Sequence, residues 1–101
     1  MSSKNYSKPR QIKIQALYPN PFNNSIILDY ILFKDSNVKI VIFDIYGNLI
    51  KNLFAGEQTT GLKSIKWNAT NNKGKIVSAG TYIVRIRTED FTKTKKMIFV
   101  K

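Results

Sequence analysis

An alternation of period two runs through almost the whole chain and constrains its fold more than any other feature. Ile12 and Ile14 alternate with Lys13 and Gln15. Ile26, Leu28, Tyr30 and Leu32 share one face of a run from Ser25 to Phe33. Val38, Ile40 and Ile42 interleave with Lys39, Val41 and Phe43, and Ile65 and Trp67 with Ser64 and Lys66. Tyr82, Val84 and Ile86 alternate with Ile83, Arg85 and Arg87, and Met97 and Phe99 with Ile98 and Val100. Such spacing places one set of side chains on one face of a pleated strand, and the β-branched and aromatic residues in these runs fit that surface. No window carries the stripe of a long helix.

Turn chemistry divides the runs. Pro19-Asn20-Pro21 interrupts pairing because neither proline has an N–H for a ladder. Asp35-Ser36-Asn37 reads as a polar turn, and Tyr46-Gly47-Asn48 as a tight hairpin between two strands. Ala55-Gly56-Glu57 and Gly61 are expected to bracket a longer connection, and Asn68 to Gly80 forms the longest loop. Glu89-Asp90 turns into the last strand. About seven strands separated in this way predict an all-β fold, an Ig-like antiparallel β-sandwich. Trp67 is the natural anchor between its sheets because it offers the largest apolar area. The expected organisation is a flexible basic segment over 1–10 and one folded domain over 11–101.

Composition decides what such a domain can do. The 101 residues contain no Cys and no His, which excludes thiolate catalysis, a Ser-His-Asp triad, a Cys/His zinc site and a disulfide framework. Hydrophobic residues are 43% of the chain, enough for one core. The longest apolar stretches fall far short of the roughly 20 residues of a spanning helix, so no membrane span is expected. The start, Met1 to Gln11, is polar and basic and carries no secretory signal pattern.

Lys and Arg total 17 against 6 Asp and Glu, a formal charge of +11. Nucleic-acid binding would need these cations gathered on one face. They are instead distributed along the chain, with Arg85 and Arg87 the best local pair, and no aromatic RNA-binding motif accompanies them. A solvated surface is expected, with lysines guarding strand edges. The carboxylates fall mostly at turns and form no opposed acid–base pair. Asn68 to Gly74 is oxygen-rich, but its donors are neutral amides beside Lys73. The expected role is a loop held by side-chain-to-backbone bonds, not a calcium site.

The most specific local signal is Tyr18-Pro19-Asn20-Pro21-Phe22-Asn23. Two prolines one residue apart set two φ angles, Asn20 can bond its neighbouring backbone, and Tyr18 and Phe22 can clamp the bend onto a sandwich. On physical grounds this is a stiff corner between the first two strands. A recognition surface is the sharper reading.

Taken together, these motifs resemble a known family. The Tyr18 to Asn23 bend looks like its opening motif. Phe43-Asp44-Ile45-Tyr46-Gly47-Asn48 is similar to its aromatic-Asp-x-x-Gly hairpin. Trp67, Gly74 and Gly80-Thr81-Tyr82-Ile83-Val84-Arg85 follow at matching spacing, and Lys95-Lys96-Met97-Ile98-Phe99-Val100-Lys101 closes the chain. From Leu17 to Lys101 the chain resembles the type A C-terminal sorting domain of the type IX secretion system, a profile that shades into the Ig-like domain of the flagellar hook-capping protein.

The resemblance implies a domain without catalytic residues or cofactor. It implies placement at the end of a larger exported protein of Bacteroidetes-type bacteria, where the outer-membrane translocon reads it and a surface sortase can remove it. Its partners are then the translocon, the sortase and a cargo fused at its N-terminal side, and its destination is the cell surface or medium. With no cargo preceding it, the chain reads as a piece of such a protein. By carry-over, the recognition candidates are Tyr18, Pro19, Asn20, Pro21 and Phe22 of the bend, Asp44 and Gly47 of the hairpin, and Lys95, Lys96, Met97, Ile98, Phe99, Val100 and Lys101. Two alternatives are an Ig-like assembly or adhesion module of the hook-capping kind and a carbohydrate- or polyanion-binding module. In the family the loop after Trp67 often carries Asp where this chain has Asn68, Asn71 and Asn72.

Overall fold

The alternating runs become strands in the computed structural model, which describes residues 11–101. The segment expected over 1–10 lies outside the described residues. Seven strands follow one another: β1 (Ile12–Tyr18), β2 (Ile26–Leu32), β3 (Ser36–Asp44), β4 (Leu49–Gln58), β5 (Gly61–Trp67), β6 (Gly80–Arg87) and β7 (Thr92–Phe99). They form a three-stranded sheet in the order β1-β2-β5 and a four-stranded sheet in the order β4-β3-β6-β7. All strand pairs are antiparallel. This is the seven-stranded, two-sheet sandwich expected of an Ig-like chain.

The core lies where the two sets of inward positions meet. Ile26, Leu28, Tyr30 and Leu32 of β2 face Val38, Ile40 and Ile42 of β3 and Tyr82, Val84 and Ile86 of β6, and all are buried. Burying one such aliphatic or aromatic side chain contributes about 1.5–3 kcal/mol, which explains why the register of β2, β3 and β6 follows the apolar alternation. Trp67 sits at the end of β5, 2% exposed. Its indole meets Phe22 at 5.8 Å and Tyr82 at 5.3 Å between centroids, and its Nε1–H donates to the Thr70 carbonyl at 2.9 Å. Tyr30 crosses from β2 to donate its hydroxyl to Gln58 Oε1 at 2.7 Å, at the end of β4.

Two turns differ from the sequence expectation. Ala55, Gly56 and Glu57 are not a connection but the second half of β4, and only Thr59 and Thr60 separate it from β5. Edge position explains why the strand was hard to see: its residues are half-buried in no simple alternation, and its pairing with β3 shifts register twice. Ser36 also belongs to a strand. It is buried as the first residue of β3, and its hydroxyl donates to the Lys34 carbonyl. A further tie was not visible in the sequence: buried Gln11 bonds Asp90 and Thr88 and so pins the start of β1 to the β6–β7 turn.

Candidate recognition surface

The bend at Tyr18 to Phe22 is positioned by its last residue. Phe22 is 1% exposed and stacks on Phe99 at 5.1 Å, beside Trp67. That aromatic group anchors the bend against β7. Phe22 then behaves as a short strand: its N–H donates to the Ile98 carbonyl at 2.9 Å, and its carbonyl accepts from the Val100 N–H at 2.8 Å. Both X–Pro bonds of the bend, Tyr18–Pro19 and Asn20–Pro21, are cis.

Asn20 does not bond its own neighbouring backbone, as its position between prolines suggested. The flanking prolines leave no N–H there, and the side chain reaches instead across to β7. Its Nδ2 donates to the Lys96 carbonyl at 3.0 Å, and its Oδ1 accepts from the Ile98 N–H at 2.9 Å. One amide side chain thus offers β7 the donor and acceptor that a neighbouring strand would. Tyr18 does not clamp the core. It is 44% exposed, and its hydroxyl donates to Asp29 at 2.9 Å on the outer face of the three-stranded sheet. That hydrogen bond to the carboxylate holds the phenol above its ordinary pKa.

On β7 the residues Met97 and Phe99 point into the core, while Lys95, Lys96, Ile98, Val100 and Lys101 remain exposed. β7 is an edge strand, paired on one side with β6 without a register shift. Its other side is divided. From the Lys96 carbonyl to the Val100 N–H the bend occupies it. Antiparallel pairing alternates, so the outward groups of Ile98 and Val100 put those of Thr94 and Lys96 outward too. Among the described residues, nothing pairs with the Thr94 and Lys96 N–H groups.

The hairpin is organised by Asp44. Its Oδ1 accepts from the N–H groups of Tyr46 and Asn48, each at 2.9 Å, and its Oδ2 accepts from Asn48 Nδ2 at 3.0 Å. These bonds, the Asn48 side chain first, hold the carboxyl below its ordinary pKa. Gly47 takes φ +86°, a left-handed conformation that glycine reaches without cost from a Cβ. Both residues shape the turn; what the tip presents to solvent is Ile45 and Tyr46, the latter 82% exposed.

Beside the hairpin, Phe43, Ile45, Ile83, Arg85 and Thr94 line a shallow groove on the outer face of the four-stranded sheet. The Arg85 guanidinium lies 4.8 Å from the Phe43 ring centre, and burial, with Arg87 nearby, lowers its pKa. Its Nε is buried and, among the described residues, has no partner.

The asparagine-rich loop after Trp67 is held by bonds within itself and to β4. Asn71 Oδ1 accepts from the Lys73 and Lys75 N–H groups, and Asn72 Oδ1 accepts from the Asn52 N–H of β4. Among the described residues no cluster of acidic side chains that could hold a metal ion occurs. Sequence reasoning missed one further element. The Tyr82 hydroxyl donates back to the Ser78 carbonyl at 2.5 Å, the tyrosine corner of Ig-like sandwiches. A tyrosine just after Gly80-Thr81 at the start of a core strand was the available signal.

The fold is shared with known proteins. The structure of dimeric latent PorU from Porphyromonas gingivalis matches with a TM-score of 0.72 and 25% identity over 88% of this chain. The chain spans 9% of that protein's length. No curated protein matches. The model of the FlgD Ig-like domain matches residues 31–90, from β2 to the β6–β7 turn, and by that match the chain belongs to the FlgD Ig-like domain family.

Proposed function

We propose that this domain is a non-catalytic sorting module that directs an attached cargo protein through the type IX secretion route to the cell surface or medium. The observation that carries the reading is the likeness to latent PorU across 88% of the chain, a longer stretch than the family match at 31–90. Physical chemistry supports it. The bend and β7 form one surface, locked by Phe22 and Asn20, with lysines along it. A folded body bearing an edge strand and a cationic fringe suits recognition by a receptor's strand and steering toward an acidic surface. In this reading Tyr18 to Phe22, the hairpin of Asp44 and Gly47, and Lys95 to Lys101 make the recognition surface. The translocon, its sortase and an N-terminally fused cargo are the partners.

The test is export of a foreign passenger carrying residues 1–101 at its C-terminus, in a bacterium that has the type IX system. Appearance of the passenger outside the cell supports the reading; retention equal to the passenger alone defeats it. The family match favours a second reading, an assembly module of the hook-capping kind. Such a module would oligomerise or bind a filament subunit, and it would tolerate residues added after Lys101.

A further inference from the structure

The open half of the β7 edge, Thr92 to Lys96, has a built environment. It runs beside β1, and Ile12, Lys13, Ile14, Lys93, Thr94 and Lys95 line a groove of about 370 Å³ where the two sheets part. Lys93 and Lys95 share the face of Met97 and Phe99, which farther along are core positions. Here they are exposed charges on the inward side of an edge, with Lys13 across the groove. Such charges keep a bare edge from pairing with a neutral strand, because pairing would bury them. A strand that brings carboxylates to the same side would remove that penalty.

We propose that Thr92 to Lys96 is a docking edge for an extended acidic segment of a partner protein. The segment adds as a fifth strand to the four-stranded sheet. It pairs with the outward N–H and carbonyl of Thr94 and with the outward N–H of Lys96, whose carbonyl Asn20 already holds, and its alternate Asp or Glu side chains fall between Lys93, Lys95 and Lys13. The C-terminal half of β7 is closed to this pairing because the bend already sits there. The β5 edge is also regular in register, but it presents Lys63 and Lys66 on opposite faces and so offers no matched row of cations. The inference refines the sorting reading by moving the backbone docking site from Lys95–Lys101 to Thr92–Lys96.

The edge is tested on the full 101-residue chain by backbone-amide NMR, with a capped nonapeptide of alternating Glu and Thr as the probe. The Thr94 and Lys96 amides shift, and their hydrogen exchange slows about tenfold at roughly nine times the peptide's Kd. A peptide of alternating Lys and Thr leaves them unchanged. Slowing on β5 instead, or lysine signals that shift without amide protection, overturns the proposal. So does slow exchange of these amides in concentrated protein alone, which would place a second copy of the chain on the edge.

Thr94→Pro supplies the export arm. It removes an outward N–H while leaving the β6 ladder intact. In the passenger fusion it abolishes export that the unaltered domain supports; undiminished export overturns the edge as the receptor's site. If the unaltered fusion is itself retained, the sorting reading fails, and the peptide titration still decides the edge.

Discussion

The four-stranded sheet has two edges, and the chain treats them differently. At β4 the edge is broken from within: two register shifts twist it, and the loop after Trp67 lies along its first half. There Asn72 accepts from the Asn52 N–H with its side chain and donates its own N–H to the Ile50 carbonyl. At β7 the ladder is regular, and only half of it is covered. There Asn20 engages two backbone groups through its side chain alone, and Phe22 fixes the cover to the core. The comparison teaches that a regular edge survives where something holds its cover in place from inside. An irregular edge needs only a loop. It also locates the part of the molecule left available for pairing.

The largest test of that contrast is Phe22→Ala. A buried aromatic removed from beside Trp67 and Phe99 costs about 3–5 kcal/mol, read as a lowered urea midpoint. The variant also frees the Ile98 and Val100 amides to exchange. If stability falls by less than about 1 kcal/mol, the bend is not held by its anchor.

Asn20→Ala is expected next, at about 1 kcal/mol, because water can reach the released groups on an exposed edge. Asn72→Ala should cost less. It removes one side-chain bond and keeps the backbone bond to Ile50. Equal losses in the two variants would erase the distinction between the edges.

The smallest effect lies in the β3–β4 hairpin. Asp44 has a lowered pKa when folded, so its contribution is full above the ordinary carboxylate range and is lost as pH falls through the lower, folded value. The Tyr46 and Asn48 amide shifts should therefore titrate with a midpoint below that of an ordinary Asp. A midpoint at the ordinary value would show that the bonds to Asp44 do not favour its ionised form.

The sandwich was legible because β2, β3 and β6 are central strands with one buried face, so period two is written into their residues. Trp67 was legible for its size. The hairpin at Gly47 announced a strand after it, but the length of β4 was not legible, since an edge strand with register shifts has no single buried face to impose alternation. The Glu89-Asp90 turn announced β7, but its first half shows no alternation: Thr92 to Lys96 is exposed on both faces, and its ladder to β6 makes it a strand. The bend was recognised as rigid, but the partner of Asn20 lies 76 residues away at Lys96 and leaves no local trace. Asp44 and Gly47 were legible as a turn, and the structure gives both residues the bonding and backbone geometry of one.

Amide hydrogen exchange along β7 tests the divided edge most directly. The account predicts slow exchange at Ile98 and Val100, fast exchange at Thr94 and Lys96, and a selective rise at Ile98 in Asn20→Ala. Uniform protection from Thr92 to Val100, or fast exchange at Ile98 in the unaltered protein, would contradict it.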